Sequence, residues 1–289
     1  MSTHPAPRPQ VTIGGLAAKK AAAEPIVMVT AYDHPSARIA ETAGVDMVLV
    51  GDSAAMTVLG YDSTVPVTID EMIMLTAAVR RGLSAPLLVG DLPFGSYEGS
   101  DAIAIATAQR FVKEAGCDLV KLERGGSTVD RARAIVAAGI PVVGHVGLTP
   151  QTATSLGGYR AQGRAADDAL AVIDDALALQ DAGCALLVIE AVPAEVTAAL
   201  VPRLRIPVIG IGAGADADGQ VLVWHDLLGI HDGPAAKFVK RYADLRTASV
   251  DAIRQYAHDV REKTYPAREH TYAMASGEAD RLQELLAAQ

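Results

Sequence analysis

Four apolar runs of strand length each stop at a carboxylate: Val48-Leu-Val-Gly-Asp52 with Ser53 behind it, Leu87-Leu-Val-Gly-Asp91, Asp118-Leu-Val-Lys-Leu-Glu123 and Ala185-Leu-Leu-Val-Ile-Glu190. Runs that are continuously apolar rather than alternating belong to strands buried on both faces, and so to a parallel sheet covered by helices. A second pattern recurs ahead of strand-like runs: Glu41-Thr-Ala-Gly44, Lys113-Glu-Ala-Gly116, Val136-Ala-Ala-Gly139 and Gln180-Asp-Ala-Gly183. Each is a helical segment closed by glycine, the residue that most easily takes the left-handed turn at a helix end. Helix, glycine turn, strand is therefore the repeating unit, and strands are expected at 26–31, 46–51, 87–91, 118–123, 141–146, 184–190, 206–211 and 220–225. Eight such units fit a closed (β/α)8 TIM barrel, an α/β fold. An open doubly wound sheet would carry Gly-x-Gly-x-x-Gly after its first strand, whereas Gly210, Gly212 and Gly214 come near the seventh. In a barrel the C-terminal strand ends converge on one mouth, so the terminal acids face a common centre.

Composition agrees. Half of the 289 residues are hydrophobic but 4% are aromatic, leaving Ala, Val, Leu and Ile to fill the core, which suits helices packed on a parallel sheet. A net charge of −9 argues against nucleic acid as a partner. No apolar run reaches the ~18 residues of a membrane span, and Met1–Gln10 lacks the apolar centre of a signal peptide, so a cytoplasmic protein without membrane partners is expected. Cys117 and Cys184 each follow an Ala-Gly pair at a strand start, where a small buried hydrophobe is wanted. Residues 1–11 read as a disordered tail, 12–265 as a single barrel domain in which Thr12–Ala23 forms a helix closing one end, and 266–289 as a C-terminal extension. A further helix is expected at 246–262.

Asp52, Asp91 and Glu123 are hard oxygen ligands on successive strands about 5 Å apart, close enough to meet around one small ion, for which Mg²⁺ suits oxygen ligands better than zinc. Taken singly, each acid is as readily a helix cap. Lys121, two residues before Glu123, points into the barrel with it, either as a structural ion pair or as a grip for an anionic substrate. His145 orients a ligand or closes the core. Glu190 ends the most apolar strand, a setting that strengthens a carboxylate as a base, although an ion pair accounts for it equally. The turn Ile209-Gly-Ile-Gly-Ala-Gly214 allows close approach to the backbone, and loops at this place in barrels often hold anions.

Thr30-Ala-Tyr-Asp33, Val50-Gly-Asp-Ser53, Leu59-Gly-Tyr-Asp-Ser-Thr64, Gly90-Asp-Leu-Pro-Phe-Gly-Ser-Tyr97, Lys121-Leu-Glu123, Gly144-His-Val-Gly-Leu-Thr-Pro-Gln151 and Asp218-Gly-Gln-Val-Leu-Val-Trp-His-Asp226 together resemble the ketopantoate hydroxymethyltransferase family, from about Thr12 to Tyr272. The resemblance implies a Mg²⁺-dependent (β/α)8 enzyme that moves a hydroxymethyl group from 5,10-methylenetetrahydrofolate to 3-methyl-2-oxobutanoate, giving 2-dehydropantoate on the route to pantothenate and coenzyme A. It also implies a homo-oligomer, typically a decamer. By the same resemblance Asp52 and Asp91 match metal ligands, Glu123 the acid completing the metal environment, Ser53 and Lys121 contacts to the 2-oxo acid, and Glu190 the base. This chain departs from the family pattern at Ala54-Ala55, where Leu-Gly is usual, at Leu75 in place of a histidine, and at Ala161 in place of a valine. Two other readings are a Mg²⁺-dependent 2-oxo acid carbon–carbon lyase or mutase on the same barrel, and a non-catalytic metabolite-binding barrel. The first would carry a catalytic cysteine or mobile acid loop at the mouth, but both cysteines lie at strand beginnings.

Overall fold

The computed structural model describes residues 8–233 and 235–289. Of the tail expected over 1–11, residues 1–7 lie outside this range, while the rest is bound down rather than disordered. The Arg8 guanidinium donates to the Val45 carbonyl (3.3 Å) and the Val11 amide to the Ala85 carbonyl (2.8 Å).

Among the described residues eight parallel strands close into a barrel in sequence order: β1 (Ile26–Thr30), β2 (Met47–Val50), β3 (Leu87–Asp91), β4 (Leu119–Glu123), β5 (Val142–Gly147), β6 (Leu186–Glu190), β7 (Val208–Ile211) and β8 (Gly219–Leu222). Closure is made by β8 on β1, with Ile26 opposite Gly219 and Val29 opposite Leu222. Helix α1 (Ile13–Ala21) starts at Thr12, whose hydroxyl accepts from the Gly15 amide (3.0 Å). It plugs the N-terminal end of the barrel as expected: Leu16 is fully buried among Ile26, Met28, Met47 and Leu87. Lys19 and Lys20 pair there with Asp46 (3.0 Å) and Asp218 (2.7 Å), at the beginnings of β2 and β8.

The outer ring is α2 (His34–Ala43), α3 (Ala54–Thr57), α4 (Ile69–Arg80), α5 (Asp101–Arg110), α6 (Thr128–Ala137), α7 (Ala166–Asp181), α8 (Ala194–Leu200) and α9 (Trp224–Leu227). A second apolar core fills the space between strands and helices, taking in Val48, Val120, Phe111 and Leu187. All four glycine stops do as expected: Gly44, Gly116, Gly139 and Gly183 have φ of 83°, 71°, 87° and 98°. β7 and β8 are joined without a helix. Cys117 and Cys184 are buried and unpaired, and burial pushes both thiols up to about 12.

The chain divides after Tyr242, and Ala243–Gln289 forms a second compact unit with α10 (Leu245–Arg261) and α11 (Glu278–Ala287). The boundary expected at 265 thus falls inside this unit, because a helical period reads the same in the ring of a barrel and in a separate unit. No helix among the described residues is long and apolar enough to cross a membrane.

Candidate active site

Strand register decides which acids meet. Lys121 on β4 lies level with Asp91 on β3, His145 on β5 with Glu123, and Glu190 on β6 with Gly147. Asp52 and Ser53 follow β2 directly and open α3. The structure brings all six residues singled out in the sequence to one pocket of about 90 Å³ at the C-terminal mouth, with His145 beside them. Ala54 and Ala55 are fully buried in the right-handed α3, so the position where the family usually carries glycine needs no positive φ here.

Inside the pocket Asp91 Oδ2 accepts from the Asp52 amide (2.9 Å), which ties the ends of β2 and β3 together. Lys121 Nζ stands 3.0 Å from Asp91 Oδ1 and 3.4 Å from Glu123 Oε1. The approach to Asp91 is an ion pair off the hydrogen-bonding direction, so Oδ1 is buried without a hydrogen-bond donor. Glu123 is fully engaged: Oε1 lies 3.2 Å from His145 Nδ1, and Oε2 accepts from the Gln151 amide (3.0 Å). His145 Nε2 in turn lies 3.2 Å from Glu190 Oε2, again an ionic approach off the hydrogen-bonding direction, so that Nε2 is buried without a hydrogen-bond partner. Glu190 keeps 16% of its side chain exposed, and the desolvation expected from its apolar strand is therefore partial.

The charges respond to crowding. Burial raises the Asp52 carboxyl well above the ordinary range, and the nearby charges of Asp91 and Glu123 raise it further. Asp91 is raised by burial too, with Lys121 pulling the other way. For Glu123, burial is outweighed by Lys121 and His145, which hold it below the usual value. Burial also opposes charge on Lys121, but Asp91, Glu123 and Asp52 together keep the ammonium protonated. On His145, burial and Lys121 act against the proton, and the contacts to Glu123 and Glu190 win, raising it to about 9.

Three residues without an assigned role in the sequence stand behind the pocket wall and hold its lining residues. Gln151 is a buried hub: its amide nitrogen donates to Asp52 Oδ2 (3.1 Å) and the Leu92 carbonyl (2.9 Å), while its oxygen accepts from the Tyr97 hydroxyl (2.6 Å). Tyr97 also accepts from the Glu123 amide (3.2 Å). The Tyr32 hydroxyl, pushed up to about 12 by burial, shares a 2.9 Å hydrogen bond with Ser53 Oγ. All three stand in the motifs quoted above, at Thr30–Asp33, Gly90–Tyr97 and Gly144–Gln151.

The fit of this donor set to a metal divides it. Asp91 Oδ1, buried without a donor, and Asp52, whose charge its neighbours disfavour, suit a hard divalent cation that needs few protein oxygens and takes the rest from substrate and water. Glu123 has spent both oxygens on protein partners, and among the described residues no three of His, Cys, Asp and Glu converge in metal-holding geometry. The glycine turn after β7 puts Gly212 and Gly214 at φ of 63° and 87°, beside a separate, larger cavity that also touches Glu190.

A family model described as ketopantoate hydroxymethyltransferase matches residues 10–268. A 3-methyl-2-oxobutanoate hydroxymethyltransferase of Moorella thermoacetica is 53% identical over 267 residues, covering 92% of this chain and 99% of the relative. The mitochondrial 3-methyl-2-oxobutanoate hydroxymethyltransferase 1 of Arabidopsis thaliana is 49% identical, covering 95% and 81%. Among solved structures, a phosphonopyruvate hydrolase complexed with oxalate and Mg²⁺ superposes with a TM-score of 0.60 at 11% identity, covering 96% of this chain and 98% of that one, a likeness of fold. With the family model spanning the whole barrel and relatives at about half identity over nine-tenths of its length, this chain belongs to the ketopantoate hydroxymethyltransferase family.

Proposed function

We propose that this protein transfers a hydroxymethyl group from 5,10-methylenetetrahydrofolate to 3-methyl-2-oxobutanoate, giving 2-dehydropantoate for pantothenate and coenzyme A synthesis. The observation that carries the reading is a single small pocket holding a cation for a carboxylate, Lys121, a pair of acids suited to a divalent ion, Asp52 and Asp91, and a rim carboxylate, Glu190, with His145 3.2 Å behind it. We place it in the cytoplasm as a homo-oligomer, a decamer, without nucleic-acid or membrane partners. Asp52 and Asp91 would hold Mg²⁺, with Glu123 outside them bracing Lys121 and His145. When bound, the ion supplies Lewis-acid polarisation of the substrate's keto group.

Lys121 and Ser53 grip the 2-oxo acid, the Ser53 hydroxyl being fixed by Tyr32. Lys121 is suited to this because the acids around it keep it charged although it is buried. His145 faces Glu190 Oε2 as its ionic neighbour, and Glu190 stands at the rim, where it takes the C3 proton of the substrate. Loss of that proton makes C3 the nucleophile that bonds to the donor's one-carbon unit, as that carbon's bond to one folate nitrogen breaks and this nitrogen takes up the proton removed from C3. Water then replaces the second folate nitrogen on the same carbon, leaving its hydroxyl there and giving its other proton to that nitrogen, and tetrahydrofolate leaves. A placed base contributes about 10²–10⁴ in rate, so Glu190→Gln should slow C3 deprotonation by roughly that factor. Proton NMR of 3-methyl-2-oxobutanoate in D₂O with enzyme and Mg²⁺ reads this directly: the C3 signal disappears with wild type and persists with the variant. Equal exchange in both proteins would remove Glu190 from the role, and a wild type that shows no exchange and no hydroxymethyl transfer would overturn the assignment.

A further inference from the structure

Glu190 lines two cavities. One is the acid pocket, and the other, about 770 Å³, shares no other lining residue with it. The two differ in chemistry. Apart from Glu190 the larger cavity has no carboxylate in its wall among the described residues; it is bounded by the rings of Phe238 and Tyr159, the turn at Gly212 and Gly214, and the cationic side chains of Arg160 and Lys237. Gly212 has φ of 63°, and a methyl group there would run into the Phe238 ring, so glycine is what lets that ring lie against the end of β7. Arg160 is anchored through Nε to the Gly157 carbonyl (2.8 Å).

We propose that this second cavity seats the one-carbon donor, with Phe238 as the face on which its pterin ring stacks and Lys237 and Arg160 as the cations that receive its carboxylates. The inference rests on the transfer reaction proposed above. A five-carbon oxo acid matches the small polar pocket, whereas its partner is several times larger, flat at one end and anionic at the other. The carbon it delivers must reach the C3 atom that Glu190 deprotonates, so the donor's cavity has to border that residue, and this one does. A flat ring needs an aromatic or apolar face, and an anionic tail needs cations away from the acids of the first pocket.

The test is calorimetric binding of tetrahydrofolate, as mono- and triglutamate, to the full chain with Mg²⁺ and 3-methyl-2-oxobutanoate. Phe238→Ala should weaken binding of both forms roughly five- to tenfold, the loss that goes with one aromatic partner. Phe238→Leu, which keeps apolar bulk without the flat face, should weaken it in the same direction. Lys237→Glu should weaken the triglutamate more than the monoglutamate, and added salt should narrow the gap. All three variants should exchange the C3 proton at the wild-type rate where the oxo acid is tested alone. Wild-type affinity in all three, or no binding by wild type, overturns the proposal. If wild type binds tetrahydrofolate and the variants lose it while no C3 exchange occurs, the cavity stands and the reaction assigned to Glu190 fails.

Discussion

His225 shows what a single ring can add to stability. It packs against Tyr32 with centroids 5.5 Å apart, and its Nδ1 is buried without a hydrogen-bond partner. Burial lowers its proton affinity below the ordinary 6.5; Asp226 and Asp33 oppose this and His231 adds to it. Because the folded value lies below the unfolded one, the unfolded chain takes up the proton first as pH falls. The stability is complete above about 6.5 and drains as pH drops from there through the lower folded value. Urea midpoints at about pH 7.5 and 5.5 should therefore fall further for wild type than for His225→Gln, and equal slopes would refute it. At this scale the sequence shows the charged residues of the candidate site but not the neutral ones. Asp52, Asp91, Lys121, Glu123 and Glu190 announce themselves because charge at the end of an apolar run is costly unless used. Gln151 joins Asp52 across 99 positions and Tyr97 across 54, and an amide or phenol carries no such signal before the fold brings its partners together.

The strand is the element that turns spacing into chemistry, and acids at its two ends have different tasks. At the C-terminal ends Asp91, Glu123 and Glu190 face the pocket. At the N-terminal ends Asp46, Asp118 and Asp218 each accept the amide of a neighbouring strand, at Val27 (2.9 Å), Leu88 (2.8 Å) and Val208 (2.8 Å). Asp118 also pairs with Arg80 (3.1 Å), linking α4 to β4. Asp118→Ala should leave the Leu88 amide without its acceptor and cost about 1–3 kcal/mol, read as a lower urea midpoint with substrate turnover per folded molecule unchanged. A loss of turnover at equal stability would show that the two ends are not independent. Both tasks rest on elements that were legible as helix, glycine and strand, since buried parallel strands and glycine stops have local causes. The missing helix between β7 and β8 was less so. Its place is taken by the turn Gly212–Asp218, whose glycines read in the sequence as a place of close approach to the backbone, without showing that the group lying against Gly212 is the Phe238 ring.

For the whole molecule the unbalanced interior charge matters most. Asp52, Asp91, Glu123 and Glu190 outnumber Lys121 and His145 in one pocket of a chain whose net charge is already −9. Burial first, then Asp91 and Glu123, raises Asp52 above the ordinary carboxylate range, so its ionisation at neutral pH opposes folding. Asp52→Asn removes that opposition and should leave the metal-free protein at least as stable as wild type. A divalent cation held by Asp52 and Asp91, as proposed, would relieve the same crowding by binding the folded chain alone, which would add about 2.7 kcal/mol at a hundredfold excess over its dissociation constant. Differential scanning calorimetry should therefore show wild type rising by several degrees in MgCl₂ relative to NaCl of equal ionic strength. Asp52→Asn should begin at or above the metal-free wild type and rise little, and Asp91→Asn should likewise lose the response, since it surrenders the buried oxygen without a donor. Should both variants gain as much from Mg²⁺ as wild type does, the ion binds elsewhere, and the two acids serve to hold Lys121 in place rather than to receive a metal.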